Sequence, residues 1–297
     1  MSKYTFKEFQ AEYPDDGACL DRIMLVQYGG TQIHCPGCGA LSKFTRIAKR
    51  RAYACQWCGH HIYPCAETIF HKSRTPLTHW FFAMYLMTST RHGVAAKELE
   101  RQIGCTYKTA WRMAHELRKL MAAADDHGPL SGHVEIDETF VGGKHRGRKG
   151  EGYKTRAQRL TPVLGMLQRD GTLRAGPVPD VRQTTLEPIV LNNVQRGSIV
   201  STDEGNAYAD LKNAPYDHGT VNHAADEFAR GIHHVNSLEG HWARLKSSIR
   251  GTHVHVSAKH LWKYVSEFSY RRNMRHSHEA MFNRLVAAFS LPRLQEN

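Results

Sequence analysis

What the sequence lacks sets the first bounds. No run of about 18 apolar residues occurs in its 297 positions, so no membrane-spanning helix is expected. The opening Met1-Ser-Lys-Tyr-Thr-Phe-Lys-Glu-Phe9 has neither an apolar h-region nor a small-residue cleavage site, and a soluble, intracellular protein is expected. Acids are scarce. There are 28 Asp and Glu against 40 Lys and Arg, for a net charge of +12 and a pI near 9.4, a balance that favours polyanionic partners, nucleic acid by default. Cysteine is sparse too, at seven, and in a reducing compartment these are metal ligands or buried thiols before they are disulfides.

What is present divides into modules, because a chain of this length holds one sizeable core plus one or two small units. Residues 1–30 read as a helical lead-in. Tyr4, Phe6, Phe9 and Tyr13 recur at helical spacing, and Ala18 to Tyr28 runs to a stop at Gly29-Gly30. Residues 31–70 carry Cys35-Pro-Gly-Cys38 and, sixteen residues on, Cys55-Gln-Trp-Cys58. Two such knuckles converge their thiolates on one tetrahedral Zn²⁺, a closed and therefore structural site. Lys43, Arg46, Lys49, Arg50 and Arg51 on the arm between them face either phosphates or solvent, while Cys19, Cys65 and Cys105 read as small buried hydrophobes. Residues 74–122 begin with a buried helix after Thr75-Pro76 and continue with the cadence of a helix-turn-helix. Leu99 and Ile103 face inward, Gly104 turns the chain and Thr106 caps a second helix. Its outer side carries Tyr107, Lys108, Arg112 and His115. On a DNA-binding reading Lys108 and Arg112 meet the duplex; an ordinary helical hairpin is the alternative.

From Ser131 strands and helices alternate. Val134 and Ile136 occupy one face of a strand and Glu135 and Asp137 the other, which puts Asp137 at the accessible end of a central strand. A glycine-rich basic stretch from Gly142 to Arg156, including Lys144, Arg146, Arg148 and Lys149, reads as a phosphate-gripping turn or a solvated loop. Strands follow over 161–167 and 173–178, then a helix over 184–193, a strand delivering Asp203, and a helix bearing Asn236, Glu239 and Lys246 beside the apolar stripe Leu238, Trp242 and Leu245. This is the order of an RNase H-like α/β domain over 131–285, with a tail over 286–297.

Asp137 and Asp203 are separated by 65 residues, and Asp203 and Glu239 by 35, the coarse spacing of a DDE phosphoryl-transfer site. Three carboxylates brought together repel one another unless a divalent cation neutralises them. Mg²⁺ or Mn²⁺ suits such hard oxygen ligands, and two ions about 4 Å apart support in-line displacement at phosphorus. Asp137, Asp203 and Glu239 are the candidate ligands, with Lys246 on a phosphate. Asn236 competes for the third position, and Glu135, Glu138 and Glu204 adjoin the favoured residues and take their places if the register is off by one.

The segments Asp137-Glu-Thr-Phe-Val-Gly-Gly-Lys144, Thr202-Asp-Glu-Gly205 and His234-Val-Asn-Ser-Leu-Glu-Gly-His-Trp-Ala-Arg-Leu-Lys246 resemble those of the ISXO2-like insertion-sequence transposases, which similarly carry an N-terminal zinc ribbon. The resemblance implies metal-dependent DNA cleavage and strand transfer at terminal inverted repeats, with Asp137, Asp203 and a residue of the Asn236–Glu239 motif as catalytic positions. It also implies double-stranded DNA partners, transposon ends and target, a homodimer or larger synaptic assembly, and a cytoplasmic, nucleoid-associated setting in bacteria. A DNA-binding regulator with an idle acid cluster, and a nuclease or resolvase of the same fold, are the competing functions.

Overall fold

The computed structural model describes residues 4–125, 128–142, 160–221 and 229–290, which fall into two compact units: residues 1–124 with 276–297, and residues 125–275.

In the first unit, a reciprocal capping box between Thr5 and Glu8 starts α1 (Phe6–Glu12), and Asp15 caps α2 (Asp16–Tyr28) through the Ala18 amide. The ribbon is a four-stranded antiparallel sheet in the order β1 (Gln32–His34), β2 (Leu41–Arg46), β3 (Tyr53–Cys55), β4 (His61–Ile62). Helix α3 (Leu77–Ser89) follows Pro76 and has no cap of its own. Asp16 supplies one from α2, accepting from the Thr78 amide at 2.9 Å and its hydroxyl at 3.0 Å. Arg51 donates to the carbonyls of Ser73 and Thr75 at 2.9 and 2.7 Å and to Asp16, so this arm residue is a structural clamp. The lead-in aromatics pack as expected, Phe9 at 4.9 Å from Tyr85 and Tyr13 at 4.8 Å from Phe81 between ring centres. Helices α4 (Ala96–Ile103) and α5 (Tyr107–Ala124) meet at Gly104, which is left-handed with φ 74°.

The second unit contains a five-stranded sheet built from β5 (His133–Val141), β6 (Thr161–Gln168), β7 (Leu173–Pro177), β8 (Ile199–Asp203) and β9 (Asp217–Val221), in the order β7-β6-β5-β8-β9. The first three strands are antiparallel, while β8 and β9 join in parallel and so need long crossovers. Helix α6 (Gln183–Asn193) lies in the first of these. On one sheet face Val134, Ile136, Leu164 and Val200 pack with Leu186 and Val190 of α6. On the other, Val163, Leu167 and Leu173 pack with Leu238, Trp242 and Leu245 of α7 (Asn236–Ser248) and with Leu261 and Val265 of α8 (Ala258–Asn273). Each such side chain contributes roughly 1.5–3 kcal/mol on burial, which fixes the face α7 presents to the sheet.

Two expectations are corrected in detail. Asp137 lies in the middle of β5, not at its end, because the β5–β6 pairing runs on to Val141 while the pairing of β5 with β8 stops at Glu135↔Ser201. The domain expected to reach residue 285 ends at 275; helix α9 (His278–Ala287) belongs to the first unit, where Phe282 packs 5.1 Å from Tyr4 and 5.8 Å from Tyr13. Among the described residues no helix is long and apolar enough to cross a membrane.

Candidate active site and metal centre

Each Cys-x-x-Cys knuckle is followed by a glycine in the left-handed region, Gly39 at φ 73° and Gly59 at φ 71°. That conformation is open to glycine at little steric cost, and it lets the Gly39 and Gly59 amides return to the Cys35 and Cys55 carbonyls at 2.8 and 3.0 Å. The folded-back turns bring the Sγ atoms of Cys35, Cys38, Cys55 and Cys58 within 4.8 Å of one another. Sulfurs around a tetrahedral zinc, each at ~2.3 Å from it, lie about 3.8 Å apart, and the Cys35–Cys58 and Cys38–Cys55 pairs are at 3.6 and 4.0 Å. Desolvation opposes ionisation of Cys55, but hydrogen bonds from Ser42 and the Cys58 and Trp57 amides outweigh it and lower its pKa to about 6. Cys58, despite the His60 amide, is pushed up to about 12 by desolvation and by the other three sulfurs. A donor set that resists its own ionisation fits a dication. Cys65 stays outside this set and, like Cys19, is buried, with burial raising their thiols to about 11 and about 12.

The acids gather on the second unit. Asp137 lies opposite Gly165 in the β5–β6 register, and the absent side chain there makes room for the Trp242 indole: a Cβ on Gly165 would come 2.4 Å from it. Trp242 then donates its Nε1–H to Asp137 Oδ2 at 2.9 Å. Burial above all, then the charges of Glu138 and Asp203, push Asp137 up to about 7 against that hydrogen bond. Glu138, on the opposite face, accepts from the Tyr208 hydroxyl. Its carboxyl is also raised, by burial and then by Asp203, although the Tyr208 bond opposes this. Asp203 closes β8 as expected, and its Oδ1 is buried with no hydrogen-bond partner among the described residues.

Asn236 and Glu239 both stand exposed on the first turn of α7, and Lys246 is half-buried in its last turn. Among the described residues no three acids reach the close spacing of the four cysteines. The structure thus joins Asp137, Asp203 and Glu138 electrostatically, and ties Asp137 to the helix of Glu239 through Trp242.

Four further residues carry the site: Glu135 and Glu138, named from sequence only as neighbours of the favoured acids, and Tyr208 and Arg169, which sequence reasoning missed. Glu138 and Tyr208 form one pair. Glu135, wholly buried, accepts from Arg169 Nε at 3.0 Å. A buried Glu with the same side-chain alternation as Asp137 was the available signal; Arg169, in the turn after β6, offered none.

Of the residues expected to meet DNA, Lys108 is exposed on α5. Arg112 is exposed as well, with its guanidinium 5.5 Å from the Trp80 ring centre and its Nη2 donating to Ser73 Oγ at 3.3 Å. Lys144, Arg146, Arg148 and Lys149 lie outside the described residues.

Comparison with known proteins adds an independent line. Residues 129–273 match the ISXO2-like transposase domain, and residues 14–61 match the transposase zinc-ribbon domain. An uncharacterized protein in transposable element ISH50 of Halobacterium salinarum is 28% identical over 257 residues, covering 82% of this chain and 86% of its own. An uncharacterized transposase-like protein of Haemophilus influenzae is 29% identical over 96 residues, 32% of this chain and 76% of its own length.

Proposed function

Since the chain belongs to the ISXO2-like insertion-sequence transposases, we propose that it cuts DNA at the terminal inverted repeats of its element and joins the freed ends to a target through an RNase H-like acid site. Asp137, Asp203 and Glu239 hold Mg²⁺ or Mn²⁺ in this reading, with Asn236 in reserve for the third position. The observation that carries it is the buried Oδ1 of Asp203, without a hydrogen-bond partner among the described residues, together with an Asp137 carboxyl raised to about 7 in part by the Asp203 charge. A buried carboxylate oxygen without a donor is costly, and an acid whose ionisation is opposed by burial and by neighbouring carboxylates, as that of Asp137 is, is what a hard dication relieves. Bound there, divalent ions supply Lewis acidity at phosphorus and lower the pKa of an attacking water or 3′-hydroxyl.

The protein's own groups do the positioning. Trp242 fixes the Asp137 carboxylate, Lys246 holds a phosphate, and the apolar stripe of α7 keeps Glu239 on the turn preceding Trp242. Lys108 on the α4–α5 pair and the basic stretch with Lys144, Arg146, Arg148 and Lys149 bind the duplex backbone, and pairing two ends calls for a dimer or larger assembly.

The test is divalent-dependent cleavage and strand transfer on DNA carrying the element's ends, comparing wild type with Asp203→Asn and Glu239→Gln. Both variants are expected to bind the ends and to lose cutting. Cutting that survives Glu239→Gln moves the third ligand to Asn236, and specific binding by a wild type that never cuts leaves a DNA-binding regulator.

A further inference from the structure

Glu135 is wholly buried and is not among the acids assigned to cations. It sits two residues before Asp137 on β5, in register with Ser201, which is two residues before Asp203 on β8. Because strand side chains repeat every second residue, Glu135 and Ser201 form a layer one step down the strands from the two aspartates. Glu135 Oε2 accepts from the amides of Ser237 and Leu238, on the first turn of α7, at 3.1 and 3.2 Å. Its Oε1 accepts from Arg169 Nε at 3.0 Å, and His234 Nδ1 lies 3.2 Å away. Arg169 donates in turn to the carbonyls of Ile232 and His234 at 2.8 and 3.2 Å. Ser201 Oγ lies 2.9 Å from His233 Nδ1 and 2.7 Å from His133 Nε2. The segment leading into the helix of Glu239 is thus fastened to the two strands that carry Asp137 and Asp203.

The chemistry suits that task. The first amides of a helix have no partner within it, a carboxylate there is favoured by the helix dipole, and a buried carboxylate is tolerable only when paired, which Arg169 provides. We infer that Glu135, braced by Arg169, is a positioning residue: it sets the height of the Asn236–Glu239 turn against Asp137 and Asp203 and so tunes the divalent-metal affinity of the acid site. This rests on the acid site proposed above.

The test uses the full, zinc-loaded chain with Glu135→Gln, which keeps volume and one acceptor, Glu135→Ala, and Ser201→Ala, which loosens His233 without burying an unpaired charge. Two quantities are read: hydrogen exchange at the Ser237 amide, and Mn²⁺ affinity by electron paramagnetic resonance. Ser237 is expected to exchange slowly in wild type and faster in both Glu135 variants. Mn²⁺ affinity is expected to fall roughly 10–100-fold in Glu135→Ala, as for other residues that orient metal ligands, and less in Ser201→Ala. Should Glu135→Ala not fold, the same comparison is made with Glu135→Gln. Rapid Ser237 exchange in wild type overturns the inference, as does a Glu135 variant that is less stable yet binds Mn²⁺ unchanged, since that is a purely structural role. A wild type that binds Mn²⁺ but never cuts end DNA overturns only the proposed reaction; one that binds none overturns both.

Discussion

Asp137→Asn should make the protein more stable while it removes activity. The Asp137 carboxyl is raised from 3.8 to about 7, so between these values the folded protein holds a proton that the unfolded chain has released. The folded state then binds more protons, and stability falls as pH rises through that window. A shift of about three units at ~1.4 kcal/mol each is about 4 kcal/mol lost above pH 7. Glu138 and Asp203 share this repulsion, so about 2–4 kcal/mol is assigned to removing the Asp137 charge. Asparagine keeps the volume and an oxygen to accept the Trp242 N–H. In denaturant titrations without added divalent metal, the advantage of the variant is expected to be small near pH 4, to widen up to about pH 7 and then to level; added Mg²⁺ should narrow it by stabilising only wild type. A pH-independent difference, or a variant less stable than wild type at pH 8, refutes the argument that Asp137 is held against its own ionisation.

Three other outcomes follow from the geometry. Cys38→Ser should lose zinc and unfold the ribbon, because three thiolates no longer close the tetrahedral shell; zinc content per chain, measured after gel filtration, checks this. Gly165→Ala sets a Cβ 2.4 Å from Trp242 and 3.0 Å from Leu238. Overpacking of this kind costs about 1–3 kcal/mol and should lift the indole from Asp137, raising the Mg²⁺ needed for half-maximal cutting. Lys108→Ala should weaken binding evenly across DNA sequences and reduce the slope of log affinity against log salt by about 1, whereas Arg112→Ala should chiefly lower stability, since its guanidinium is already engaged by Trp80 and Ser73.

What could be read from sequence was what depends on local spacing. The two knuckles, the α7 stripe of Leu238, Trp242 and Leu245, the opposed faces of Val134 and Glu135, and Asp203 at a strand end all follow from periods of 2 or 3.6 residues and from turn chemistry. What escaped depends on partners distant in sequence. Alternation says that Glu135 shares a face with Asp137 but not that the amides of residues 237 and 238 lie over it. Spacing puts Arg112 on the exposed side of α5 but does not say that Trp80 lies beside its guanidinium. An amphipathic helix at 278–287 declares a buried face without saying which unit buries it, and the length of the β5–β6 hairpin, which puts Asp137 in mid-strand, is not encoded in side-chain alternation at all.

The anchoring of α7 also bears on which residue completes the acid site. The helix is held to β5 at two points, through the Ser237 and Leu238 amides to Glu135 and through Trp242 to Asp137, so it is free neither to slide nor to roll. On an α-helix three residues advance about 4.5 Å and turn about 300°, leaving a net offset of about 60°. Glu239 is therefore about 60° around the helix from Trp242 and one step above it, whereas Asn236 is about 120° around and two steps away. The indole of Trp242 already reaches Asp137. Of the two candidates, Glu239 lies the nearer in both angle and height to Trp242, the residue that reaches Asp137, and it alone brings a charge for a hard dication. Glu239→Gln is accordingly expected to reduce cutting far more than Asn236→Ala at equal DNA occupancy. The reverse order would mean that the loaded site draws the helix past its present anchors.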